Sequence, residues 1–311
     1  MGDTDGYLRE LEDLNAQHLR QPLAIVGFGG WIDAGFAATG AVRYLVEHFG
    51  AQRVAEIDPE PFYAFTDTRP RVSHPRPGHR EPVWPRAEWF VIRMPEDVAH
   101  DIVLFTAPEP NLRWRGFADL VLDVFQRLGT ETLVSFGAVL APVHHRAQPP
   151  LRGWATTDSL RTLLRRKQIG SGRYEGPTGI TTVLLAMARD RGLPAFSLST
   201  SSPSYLTDMP NPRASAALLR VAGEISAITF PLMDLEAESR VVAERVDQFL
   251  AERPELREAV ERLPYSAEQP TAELPAADEP TELPSSAAVL QDLEEYLKSL
   301  RRENGGAASE N

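Results

Sequence analysis

The chain has 311 residues, 42% of them hydrophobic, with a formal net charge of −12. That length holds one large α/β domain or two smaller ones, and the negative charge argues against general nucleic-acid binding, which requires a basic face. Cysteine is absent and the only lysines are Lys167 and Lys298, which excludes disulfides and thiolate sites and leaves few amines for phosphate binding or Schiff-base chemistry. The N-terminus is acidic and no apolar run approaches the length of a membrane span, so a cytoplasmic protein without a membrane partner is expected.

Residues 1–21 read as a polar arm with some helical character, since Leu8, Leu11 and Leu14 recur every three residues. An α/β domain is expected over 22–232. Its first strand is LAIVGF (23–28), followed by the glycine-rich stretch GFGGWIDAG (27–35) and an amphipathic helix over 34–49 that stops at Gly50. A strand over 53–58 leads into a segment too rich in proline for a central strand, read as a crossover loop or edge ribbon. Strands follow at 89–94 and 101–107, paired through the MPEDVAH turn, and then a helix over 115–128 closed by Gly129. The strand 132–141 precedes the loop PVHHRAQPPLRG, a helix at 158–167, the turn IGSGRYEGPTGI, the helix TTVLLAMARDRG and a last strand at 194–202. Strands alternating with helices predict a three-layer α/β/α sandwich on a mostly parallel sheet. Helices over 211–230 and 234–253 follow, with C-terminal helices assigned to 233–263. Residues 264–287 read as a Pro-rich acidic linker, 288–302 as a docking helix with Val289, Leu293, Tyr296 and Leu300 on one stripe, and 303–311 as a disordered tail.

The strand-to-helix turn at 27–35 lies where open α/β sheets bind ligands. Its glycines do not match the spacing of a dinucleotide fingerprint, because Trp31 and Ile32 stand where small residues are needed. Asp33 is expected either to cap the following helix or to contact a ligand. Arg69 is expected to pair with Asp67 and brace the proline-rich loop, with anion binding as the other reading. The turn around Tyr174, Gly176 and Gly179 precedes a helix whose N-terminus could receive an anion, or shapes a subunit contact. His144 and His145 read as surface or interface residues, and no third ligand for a metal is in view. No nucleophile elbow, zinc-protease, calcium-loop or P-loop motif occurs, and Ser199, Ser201 and Ser202 have no recognisable base. The candidate ligand-binding cleft is therefore Gly29, Gly30, Trp31, Asp33, Arg69, Tyr174, Gly176 and Gly179, with no cofactor or metal expected and catalytic residues unassigned.

Several segments in order, GFGGWIDAGFAATGAVRYL, FYAFTDTRP, EPNLRW, GRYEGPTGI, PNPRASAALL and QDLEEYLKSL, together resemble the proteasome assembly chaperone 2 family in its bacterial, actinobacterial-type branch. The resemblance implies a sandwich similar to the phosphorylase/hydrolase-like fold with a helical C-terminal part, and a homo-oligomer, most simply a trimer. Two loops depart from the family pattern: APVHHRAQP after the 132–141 strand, and SPSYL around Tyr205. The resemblance suggests a non-enzymatic, assembly-chaperone-like binding protein with proteasome subunits or another protein as partner. The alternative is an enzyme on a small anionic or nucleotide-like substrate. An ATP-dependent carboxylate–amine ligase is disfavoured by the scarcity of lysine, which commonly supplies charge to such phosphates.

Overall fold

The computed structural model describes residues 5–265, apart from 77 and 173. The expected docking helix and tail, and the linker beyond Tyr265, lie outside the described residues. The first strands are β1 (Leu8–Glu10), β2 (Leu23–Gly29) and β3 (Gln52–Ile57), with α1 (Ala37–Phe49) between the last two. β4 (Arg71–Ser73) and β5 (Glu81–Val83) pair only with each other, forming the ribbon expected of the proline-rich segment. Then come β6 (Ala87–Ile92), β7 (Ile102–Pro108), α2 (Trp114–Arg127), β8 (Thr132–Ala141), β9 (Arg152–Ala155), α3 (Asp158–Arg166), α4 (Ile180–Asp190) and β10 (Ala195–Pro203). The helices α5 (Pro212–Ser226), α6 (Met233–Ala251) and α7 (Pro254–Glu261) close the described chain.

Eight strands form one sheet in the order β1-β3-β6-β7-β2-β8-β10-β9. The centre, β7-β2-β8-β10, is parallel, and antiparallel pairings extend it at both sides. The strand period of two divides each central strand between two cores. Along β2, Ala24, Val26 and Phe28 enter the core beneath α2 and α4, whereas Leu23 and Ile25 enter the core beneath α1 and α5. Both faces are thus covered, which is why these strands read as unbroken apolar runs. Gly27 is required by this packing: a Cβ there would lie 2.6 Å from the backbone oxygen of Ala38 in α1. A third, smaller cluster of Leu206, Val246, Phe249, Leu250 and Val260 joins α6 and α7 to the loop after β10.

The structure corrects two readings of local structure. Residues Leu8–Glu10 form a strand, not part of a helix, because the free edge of β3 supplies backbone partners that a short helical arm would lack. β9 lies within what reads as loop; it is an edge strand beside β10, with Gly153 and Ala155 buried and Trp154 exposed.

Candidate functional site

The parallel strands β7, β2 and β8 end on one rim of the sheet, and the 29–35 turn fills the crevice between them. Asp33 forms an isolated bridge with Ala138 of β8, whose amide donates to the Ile32 carbonyl at 2.7 Å. Asp33 is buried, and its Oδ1 accepts the amides of Ala38 at 2.8 Å and Thr39 at 3.1 Å, while Oδ2 accepts the Thr39 hydroxyl. The carboxylate therefore satisfies first-turn donors of α1 from a position before the helix begins. Burial raises its pKa above the ordinary aspartate value, and the three donors offset this only in part. Gly35 has φ 64°, and a Cβ on it would stand 2.5 Å from Ser202 Oγ; its carbonyl accepts the Asn211 amide at 2.7 Å.

The second glycine turn meets the first through Glu109, which follows β7. The Glu109 amide donates to Gly29 O at 2.7 Å, and its Oε1 accepts the Ile180 amide at 2.7 Å, capping α4. A Cβ on Gly30 would lie 3.2 Å from Glu109 Cβ, and one on Gly179 would lie 2.9 Å from Glu109 Oε1 and 3.5 Å from Ile32. Gly29, Gly30, Asp33 and Gly179 thus share one rim, with Ile32 and Glu109 as the bridge between them. Tyr174 folds over Gly176 and donates to Pro177 O at 3.0 Å. Trp31 and Tyr174 are 60% and 61% exposed. Glu109 was not singled out by sequence because capping across elements leaves no local spacing; only its place at a strand end next to Pro108 hinted at it.

Arg69 stands apart. The loop before it is anchored by Asn111, whose Oδ1 accepts the Ala64 amide at 3.0 Å and the Thr68 hydroxyl at 2.9 Å. Among the described residues neither Arg69 nor Asp67 forms an ion pair, so the expected Asp67–Arg69 brace is replaced by this amide-mediated one. Both side chains are exposed, where pairing gains little against solvation.

The histidines correct a further reading, since both are buried. His145 Nε2 lies 2.9 Å from Asp247 Oδ1, and Nδ1 lies 2.8 Å from the Tyr205 hydroxyl, which also accepts the His145 amide at 2.8 Å. Because the carboxylate only accepts, Nε2 carries the proton and Nδ1 accepts from Tyr205. A neutral imidazole satisfies every partner, and burial accordingly pushes its pKa down to about 4, against the raising influence of Asp247. Arg146 also binds Asp247, and His144 is stacked between His145 and Tyr265 at centroid distances of 4.2 and 4.1 Å. The cluster joins the loop after β8 to α6, and its residues are too far apart in sequence for spacing to reveal it. It brings together the two loops that depart from the family pattern. Beside it a small recess is lined by His145, Ser202, Asn211, Arg213 and Ser239, with Met209 among its apolar walls.

Among the described residues no group of three His, Cys, Asp or Glu side chains is placed to hold a metal ion, and no helix is long and apolar enough to cross a membrane. The family model described as PAC2 family matches residues 27–250. A PAC2 family protein from Streptomyces avermitilis shares 34% identity, with a TM-score of 0.69 over 77% of this chain and 99% of that one. A proteasome-assembly chaperone homologue from Mycobacterium tuberculosis shares 35%, with a TM-score of 0.68 over 76% and 99%. An archaeal proteasome activator from Pyrococcus furiosus, at 18% identity and TM-score 0.62 over 78% and 97%, shares the fold. No curated protein matched. The matched span takes in both glycine turns, the rim and the histidine cluster, and with it the chain belongs to the PAC2 family.

Proposed function

We propose that this protein is a non-catalytic binding protein of the assembly-chaperone type, acting on proteasome subunits or a related complex as a homo-oligomer. The observation that carries this reading is the state of the rim. Asp33 accepts two first-turn amides of α1 and Glu109 accepts the first amide of α4, while Trp31, Phe36, Val139, Leu140 and Tyr174 remain exposed around them. A rim that already holds a carboxylate at the start of each helix, and whose large apolar side chains are exposed, suits a protein surface better than a phosphate. The names of the relatives, a proteasome-assembly chaperone homologue and an archaeal proteasome activator, favour proteasome subunits as partners.

Native mass spectrometry of the protein mixed with unassembled proteasome α-subunits tests the reading. A complex is expected, together with a homo-oligomer of the protein alone, and the paired change Trp31→Glu and Leu140→Glu should abolish the hetero-complex. Absence of a complex at tens of micromolar would overturn it. A second reading, binding of a small anion, is favoured by Arg213 in the recess beside His145. Among the described residues Arg213 has no ion pair, and burial and nearby Arg146 lower its pKa. A thermal-shift screen of carboxylates and sugar phosphates should then find a ligand whose stabilisation is lost in Arg213→Gln.

A further inference from the structure

The ribbon of β4 and β5 springs from the chain between β3 and β6, and its chemistry is opposite to that of the whole molecule. Between residues 69 and 86 the sequence places Arg69, Arg71, Arg76, Arg80 and Arg86 against one acidic residue, Glu81, in a chain of net charge −12. All five arginines are exposed. Arg86 approaches Glu88 at 3.6 Å, and among the described residues the other four form no ion pair. Trp84, 46% exposed, lies against Phe65 with ring centroids 4.7 Å apart and gives the ribbon an aromatic platform. Guanidinium groups beside an exposed indole are suited to carboxylates alternating with proline, because arginine binds carboxylates bidentately and proline packs on aromatic faces.

The chain carries such a segment. Residues 266–287 contain Glu268, Glu273, Asp278, Glu279 and Glu282, no basic residue, and prolines at 270, 275, 280 and 284. We propose that the basic ribbon is an intramolecular docking site for this acidic, proline-punctuated segment. Geometry permits it. The described chain ends at Tyr265, stacked on His144 in the loop directly after β8. β6 begins at the same end of the sheet, since Glu88 is in register with Thr106 near the end of β7. β6 and β8 are separated by three strand spacings, about 14 Å in all. The 22 residues 266–287 can span at most about 75 Å, well beyond that separation. Covalent attachment at Tyr265 makes the encounter intramolecular, so weak individual ion pairs suffice. This inference is independent of the partner proposed for the rim.

Because the full chain lacks cysteine, disulfide trapping reads the contact directly. His79→Cys with Ala277→Cys tests docking, and Asp190→Cys with Ala277→Cys is the control, because α4 carries Asp190 to the opposite end of the sheet. At 0.1 M salt the intrachain bond is expected to form about tenfold faster in the first pair. That advantage should collapse at 1 M salt, where the screening length falls to about 3 Å. It should also collapse in the triple variant Arg71→Glu, Arg76→Glu, Arg80→Glu, whose melting temperature checks that the fold persists, and fall in Trp84→Ala. Equal rates in the two pairs would overturn the proposal. So would crosslinks found only between chains, which would assign the ribbon to a second copy, or an advantage that survives both high salt and charge reversal.

Discussion

The rim at 29–35 and the cluster around His145 use polar groups in opposite ways. On the rim the buried carboxylate of Asp33 works within its own neighbourhood, closing the first turn of α1 only five and six residues ahead. In the cluster, His145 reaches Tyr205 and Asp247, 60 and 102 residues away, and fastens the C-terminal helices to the α/β body. The rim is conspicuous in sequence and is largely scaffold, with large apolar residues exposed around it. The cluster is inconspicuous in sequence and acts as a latch. Glycine-rich turns draw attention because they are local, while long-range hydrogen bonds leave no pattern to notice.

This contrast can be broken at several points. The largest effect is expected from Gly35→Ala, which adds a Cβ 2.5 Å from Ser202 Oγ and 2.9 Å from Asn211 Cβ at a φ of 64°. Strain and overpacking together should cost about 3–4 kcal/mol in urea unfolding. Gly50→Ala, at φ 58° with open space around it, should cost only about 1 kcal/mol. Equal losses would mean that the close approach at Gly35 contributes nothing.

The latch should be sensitive to pH. His145 titrates near 4 in the fold, below its ordinary value of 6.5. Its folded pKa is depressed, so its contribution is complete above pH 6.5 and is lost as pH falls through 4, amounting to up to about 3 kcal/mol. Burial lowers His144 too, in the same direction. Asp247 adds a separate loss at lower pH: burial raises its pKa, but hydrogen bonds from Arg146 and His145 outweigh this and leave it below 3.8. Stability measured at pH 7 and pH 4.5 should fall less in His145→Gln than in the wild type; identical slopes would remove His145 as the cause.

Asp33→Ala should cost about 2 kcal/mol by leaving two amides and a hydroxyl of α1 without their acceptor, and Asp33→Asn about half of that. A neutral result would show that water replaces the carboxylate. Trp31→Ala should change stability by no more than about 0.5 kcal/mol, as an exposed residue, yet weaken subunit binding about tenfold or more. Unchanged affinity would separate the rim from partner recognition.

The layered core was legible because burial on both faces writes itself locally. The strand expected at 132–141 is β8, that expected at 23–28 falls one residue short of β2, and that expected at 101–107 is offset from β7 by one residue at each end. β1 and β9 were not legible: three or four residues at a sheet edge have no period to read, and their stability comes from β3 and β10. Within the candidate site, the two glycine turns announced themselves through glycine content. Their meeting point, Glu109, did not, since a carboxylate after a strand has many possible partners.

By itself, then, the sequence determined the three layers, the closing glycines of the helices and the turns at the strand ends, because hydrophobic periodicity and backbone preference act over a few residues. Only tertiary structure decided which charged and polar groups were consumed. Hydrogen bonds act within about 3 Å, so the placing of Glu109 on α4, of Asn111 beneath the loop before Arg69 and of His145 between Tyr205 and Asp247 had to await the closure of the chain.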